Sequence, residues 1–191
     1  KANREATVKV MFEAFGVPAL YLATQAVLTL HAFGHATGVL VDVGEGVSCA
    51  VPVYEGYVLT HAVARADLGG GDLTDCLTRL LTERGHYFSG AQEREIVRDI
   101  KEHLCYVACA GPEEDEDYPD SEASVLDKEP YQEKTYELPD GNLVTIASER
   151  ARCPEALFQP SCVGKPTVPG VHEFVFDAVQ KCDAEIQPTL Y

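Results

Sequence analysis

A β-branched apolar run, Thr37 to Val43, stops at Gly44-Glu45-Gly46 and resumes as Val47 to Val53. That pattern predicts two buried strands joined by a tight glycine turn. It commits the middle of the N-terminal half to a sheet. On either side the apolar spacing is helical. Asn3 to Phe15 carries Val8, Met11, Phe12 and Phe15 on one face, and Gln25 to Phe33 resumes the pattern, with Ala19 to Ala23 expected as a short buried strand between them. The stretch Ala14 to Val41 has no Asp, Glu, Lys or Arg. Gly16, Pro18, Gln25, His31 and His35 interrupt it, which favours a packed core over a membrane span.

Further on, Gly69-Gly70-Gly71 is expected to be a flexible loop. A helix follows through Leu73, Cys76, Leu77, Leu80 and Leu81, ending near Gly85. A second helix starts around Ser89 or Gly90, with Ser89 and Gln92 at capping-box spacing. Its apolar face is Ile96, Val97, Ile100, Leu104 and Val107; its other face carries Arg94, Glu95, Arg98, Asp99, Lys101 and Glu102. Thr135 to Ile146 forms a hairpin around Pro139-Asp140-Gly141. Cys153 to Phe158 is expected as a proline-started helical turn, Ser161 to Gly170 as a loop, and Val171 to Cys182 as a final helix. Strands and helices alternate without an internal repeat, so the class is α/β or α+β.

Charge limits the function. The chain carries 15 Lys and Arg against 31 Asp and Glu, a net −16, which excludes a general nucleic-acid binder. Ten acids and one lysine fall between Glu113 and Glu133, a local −9. The stretch from Ala110 to about Lys134 is therefore expected to be a solvated insert. Its acids lack the spacing of an EF-hand. Seven scattered cysteines without a CxxC pair argue against a zinc site or a secreted disulfide framework, and for reduced thiols in an intracellular compartment. Lys1 to Glu5 is polar, with no signal peptide, and is expected to lie inside a longer protein. His31, His35, His86, His103 and His172 have no ligand spacing.

The leading candidate for chemistry is Asp42-Val43-Gly44-Glu45-Gly46-Val47. Glycines let backbone N–H groups aim at a phosphate, and an Asp at a strand end holds a hydrated Mg²⁺ without approaching the anion. The competing reading is an ordinary hairpin with two acids in solvent. Arg98, Lys101 and Glu102 share one helical face at i, i+3 and i+4, which is either a binding face or solvated surface. Gln25 is either a polar residue at a helix start or a group that orients water.

Several blocks resemble actin: Pro52 to Tyr57, Asp72 to Asp75, Leu81 to Gly85, Glu93 to Glu102, Leu104 to Ala108, Tyr136 to Gly141 and Cys153 to Ser161. They occur in that family's order across almost the whole chain outside the acidic insert, so the chain resembles the middle of an actin, missing both ends. The resemblance implies an α/β, actin-like ATPase fold with a ribonuclease H-like core, partial, with one lobe mostly present. Residues 1–32 would be a first-lobe remnant with the hinge. Residues 33–68 and 166–191 would form the second lobe's core subdomain, and 69–165 its outer subdomain with an insert at about 110–134. It further implies ATP and Mg²⁺ as cofactors. Asp42 would face the Mg²⁺ water shell, Gly44, Glu45, Gly46 and Val47 would wrap the phosphates, and Gly70 would approach the ribose. Arg98, Lys101 and Glu102 would lie beside adenine and ribose, while Gln25 would orient the attacking water.

Three departures from the family pattern bear on activity. Val43 replaces a serine, Glu45 an aspartate, and Cys49 stands where a histidine lies near the attacking water. The expectation is retained ATP binding with slower or altered hydrolysis by an actin-type ATPase. The resemblance implies a cytoplasmic, cytoskeletal filament subunit that self-associates or joins other actins. The alternative is a non-polymerising scaffold or regulator that binds ATP structurally. The loop after Phe158 resembles actin's hydrophobic plug, made less apolar by Cys162, Val163, Lys165 and Pro166. Lys1 and His61 match a region where profilin-like partners dock, and Thr60 replaces a proline in the adjoining loop. The wider sugar-kinase and chaperone ATPases of this fold are disfavoured because the matching blocks are those of actin.

Overall fold

A computed structural model describes residues 2–108 and 132–191. Helix α1 (Ala2–Glu13) and helix α2 (Gln25–Ala32) precede strand β1 (Gly38–Val43) and strand β2 (Ser48–Tyr54). Two short strands, β3 (Tyr57–Val58) and β4 (Ala64–Ala66), follow before helices α3 (Gly70–Glu83) and α4 (Ala91–Leu104). Then come the hairpin β5 (Lys134–Glu137) and β6 (Leu143–Ile146), helix α5 (Glu149–Glu155), a 3-10 turn at Pro160–Val163, and helices α6 (Val171–Gln180) and α7 (Gln187–Leu190).

In the first sheet β2 is the hub. It pairs with β1, runs antiparallel to β3 in the register Val53↔Val58, and runs antiparallel to β4 in the register Ser48↔Ala66. Strand β1 ends the order and has no fully buried residue, with Val41 and Val43 exposed, against the buried strand expected. An edge strand has only one hydrogen-bonded neighbour, so its side chains keep contact with water. Ala19 to Ala23 forms no strand, and Tyr21 is 87% exposed. Apolar composition does not make a strand without a neighbour to pair with.

The backbone divides into two units. One comprises Lys1–Leu40, Val51–Val63 and Val179–Tyr191, with Ala62, Val179, Cys182 and Leu190 as its buried cluster. Within it α1 has no buried residue, and Phe15, expected on the packed face, is 71% exposed. No helix among the described residues is long and apolar enough to cross a membrane, and Ala14 to Val41 is broken between α1, α2 and β1.

The other unit, Val41–Ala50 and Ala64–Ala178, holds the larger core. Leu73, Cys76, Leu77, Leu80 and Leu81 of α3 pack with Val97 and Ile100 of α4, Val144 and Ile146 of β6, and Cys153 and Ala156. These are the apolar positions that helical spacing marked on α3 and α4. Val107, placed on the same face, lies beyond the end of α4 and is exposed. The Pro139-Asp140-Gly141 turn closes the hairpin as expected, with Leu138 N–H donating to Asn142 O at 2.8 Å. Helix α5 begins at Glu149, ahead of the expected proline start, and takes Pro154 into its last turn. Residues 187–190 add a short helix that periodicity did not mark.

The cap of α4 also differs from expectation. Glu93, not Gln92, reaches back, accepting the N–H groups of Ser89 and Gly90. Those donors hold the Glu93 carboxyl below the ordinary glutamate range. A lowered value means that the clamp is complete above that range and is lost as pH falls through the lowered value. Amide-exchange protection at Ser89 and Gly90 is therefore expected to fall on acidification before that of the mid-helix amides of Val97 and Ile100. Equal loss at both places would contradict this.

Candidate functional site

The glycine turn and the start of α3 form one construction. Gly44 N–H donates to Val47 O at 2.9 Å, closing the turn between β1 and β2. The first N–H groups of a helix have no partner inside it. Here the turn supplies the partners: Gly70 N–H donates to Gly44 O at 2.9 Å and Gly71 N–H to Glu45 O at 2.7 Å. Gly69 N–H is taken by Asp72 Oδ2 at 3.0 Å. The approach is so close that a Cβ at Gly69 would lie 2.5 Å from Glu45 O and 2.6 Å from Gly44 O. Gly70 and Gly71, expected in a flexible loop, are the first turn of α3.

Two cations of α4 turn onto this construction. Lys101 Nζ donates to Gly70 O at 2.8 Å and to Thr74 Oγ1 at 3.0 Å, while Thr74, fully buried, donates back to Gly70 O. Arg94 donates to Gly71 O at 3.3 Å, and its guanidinium lies 3.6 Å from Glu45 Oε1 and 3.0 Å from Asp75 Oδ1. These ion pairs are solvent-exposed, so their value is geometric more than energetic. From the other side Lys165 Nζ reaches Asp72 Oδ1 at 2.7 Å and Asp67 O at 2.6 Å.

The expected site residues thus fall into three groups. Gly44, Glu45, Gly70 and Lys101 are brought together, with Asp42 at the end of β1 and Gly46 and Val47 in the same turn. A Cβ at Gly46 would meet nothing within 4 Å, so the outer side of the turn has room for a ligand. Arg98 and Glu102 share the exposed face of α4 and pair with each other, Arg98 also with Glu95. Cys49 sits half-buried in β2 opposite Arg65 of β4, and Gln25 opens α2 in the other unit.

Sequence reasoning missed Gly69, Thr74, Asp72 with Lys165, and Arg94. Arg94 and Lys101 stand at i and i+7 on the charged face of α4, and that spacing was the available signal. Among the described residues no three His, Cys, Asp or Glu side chains gather to hold a metal directly. A lone carboxylate such as Asp42 suits a cation held through its water shell. His103 pairs with Asp99, and His172 lies against Phe158. Lys1 and most of the acidic insert lie outside the described residues.

A glycine turn between two strands, seated on a glycine-started helix that two cations clamp, defines an α/β protein organised around that turn. The actin family model matches the chain over residues 1–191. The chain belongs to the actin family, a cytoskeletal family, and its mixed α/β architecture is a partial actin-like fold.

Proposed function

We propose that this chain is part of an ATP-binding actin-like subunit whose nucleotide state regulates filament assembly, with slowed hydrolysis. The observation that carries the reading is the seating of Gly44 to Val47 on the N-terminus of α3 beside Lys101, in a chain of the actin family. Lys101 places a cation beside the turn, and the open outer side at Gly46 leaves backbone there for a phosphate to approach, which suits the reading. Mg²⁺-ATP would supply the phosphoanhydride bond. Gly44, Glu45, Gly46 and Val47 would hold its phosphates, Asp42 the metal's water shell, and Gly70, Arg98, Lys101 and Glu102 the ribose and base. Gln25 would orient the attacking water, and Cys49 stands where the family pattern has a histidine.

Slow hydrolysis follows from chemistry. Val43 cannot donate a hydroxyl hydrogen bond, and a thiol is a weaker partner for water than an imidazole. In the complete protein, Val43→Ser with Cys49→His is expected to raise phosphate release by about tenfold, equivalent to about 1.4 kcal/mol of barrier, with ATP affinity little changed. Absence of ATP binding in the parent protein would sink the whole reading. Unchanged release in the double variant would remove only the part about hydrolysis.

The non-polymerising alternative is favoured by one contact. Lys165 of the plug-like loop is tied to Asp72 and Asp67. Sedimentation of the complete protein with ATP and Mg²⁺ distinguishes the two.

A further inference from the structure

The chain between Phe158 and Gly170 leaves and rejoins the larger unit at one neck, where Val171 N–H donates to Leu157 O at 2.8 Å. Between those ends it is a compact loop closed on itself. Gly164 N–H donates to Ser161 O at 3.0 Å and Lys165 N–H to Pro160 O at 3.1 Å, with Gly164 turning the chain at a φ of 76°. Two cations fasten the loop down. Arg79 of α3 donates to Cys162 O. Lys165 Nζ spans the corner that leads into α3, reaching Asp67 O at 2.6 Å and Asp72 Oδ1 at 2.7 Å. The Lys165 and Asp72 side chains are 32% and 23% exposed, so water screens this pair only in part.

The same corner carries the glycine turn. Buried Ser48 donates its hydroxyl to Leu68 O at 2.7 Å. Asp72 Oδ2 accepts Gly69 N–H at 3.0 Å, while Gly70 and Gly71 donate to the carbonyls of Gly44 and Glu45. The turn and Lys165 therefore hold one short piece of backbone between them. We propose that Lys165 is a latch that joins the position of this loop to the order of the glycine turn. Phosphate bound at the turn then holds the loop down, and freeing the loop weakens phosphate binding. The inference rests on the phosphate role proposed above for Gly44 to Val47, and it adds a means of regulating that site.

A ligand shifts a two-state element only by its different affinity for the two states. Here charge supplies the difference. With Lys165 seated, Asp72 is a paired carboxylate beside the glycine start of α3. With Lys165 withdrawn, the same carboxylate is unpaired and repels an anion arriving at the turn. Coupling of this kind is reciprocal, so the factor by which the latch improves phosphate binding is the factor by which phosphate favours the latch.

The test compares the complete protein with its Lys165→Gln variant, first by amide exchange without nucleotide and then by titration with Mg²⁺-ATP. Exchange in the variant is expected to quicken from Gly164 to Val168 and also at Gly70 and Gly71, with Leu77 and Leu80 of α3 unchanged. Affinity for Mg²⁺-ATP is expected to fall about fivefold, the low end of ordinary coupling because the ion pair is partly exposed. Adding Asp72→Asn removes the stranded charge and keeps an oxygen for Gly69 N–H, so most of the affinity is expected to return. A merely structural role for Lys165 would leave that double variant no better than the single one. Exchange that quickens in the loop but not at Gly70 and Gly71 overturns the inference, as does an affinity that Lys165→Gln leaves unchanged. In the parent alone, saturating Mg²⁺-ATP is expected to slow exchange from Gly164 to Val168, and an unmoved loop overturns the inference even where the variant does not fold. A parent that binds no ATP refutes the proposed function, and exchange at Gly70 and Gly71 still decides whether the loop and the turn are joined.

Discussion

Replacing Gly69 with alanine is expected to lower the unfolding free energy by about 3 kcal/mol, the upper range for forcing a methyl into packed structure. The backbone angle is not the cause, since φ of −163° is ordinary extended chain. The cause is contact. The added Cβ would stand 2.5 to 2.6 Å from Glu45 O, Glu45 C and Gly44 O, which are backbone atoms that cannot rotate aside. Relief requires the turn to lift from α3, which breaks the bonds from Gly70 and Gly71. Gly70→Ala is the control. Its Cβ would meet the ends of Glu45 and Lys101 at 3.3 and 3.4 Å, and flexible side chains give way. Its cost is expected to stay within about 1 kcal/mol, part of it returned by alanine's helix propensity. Urea unfolding of the two variants reads the difference, and equal costs would refute the seated turn.

Arg84→Ala is expected to cost a further kind of stability, about 3 kcal/mol, by stranding a buried carboxylate. Glu149 is only 5% exposed. Its Oε1 lies 3.3 Å from Arg84 Nε, and its Oε2 accepts the Ala147 N–H at 2.9 Å. Arg84 also donates to Thr145 O at 2.9 Å, so one side chain joins the end of α3 to β6 and α5. The arginine is about one-third exposed, which lets water reach the site and keeps the cost at the lower end of the range for buried pairs. Arg84→Met combined with Glu149→Leu removes both charges and is expected to come within about 1 kcal/mol of the parent. A double variant as unstable as Arg84→Ala alone would show that the loss is one of packing.

What the sequence disclosed follows from the range of each signal. The apolar faces of α3 and α4 and the Pro139-Asp140-Gly141 turn are set by neighbours a few residues away, and they were legible. The early start of α5 was not, because Glu149 is buried by virtue of a counter-charge on Arg84, which is remote in the chain. Gly69 to Gly71 looked like a loop because glycine disfavours helices. Close approach to the carbonyls of Gly44 and Glu45 overrides that preference. Lys101 and Arg94 were assigned to a charged face, but periodicity cannot tell that their heads turn onto α3. The strand-end motif at Asp42, the helical face of Arg98 and the helix-start position of Gln25 each left a bland reading open, and it is the resemblance to actin that favours the nucleotide roles.

The core of the larger unit also has a history in time. Helices α3 and α4 are adjacent in the chain, but the contact of Cys153 with Leu73 spans 80 residues. At about 5–20 residues per second, the ribosome needs roughly 4–16 s to make the 80 residues between those partners. Over that interval the side of α3 that later receives Val144, Ile146, Cys153 and Ala156 waits for those partners, with α4 and Phe88 already made. A nascent chain of this protein therefore presents a leucine-rich surface to its surroundings for seconds before its own C-terminal half arrives to bury it.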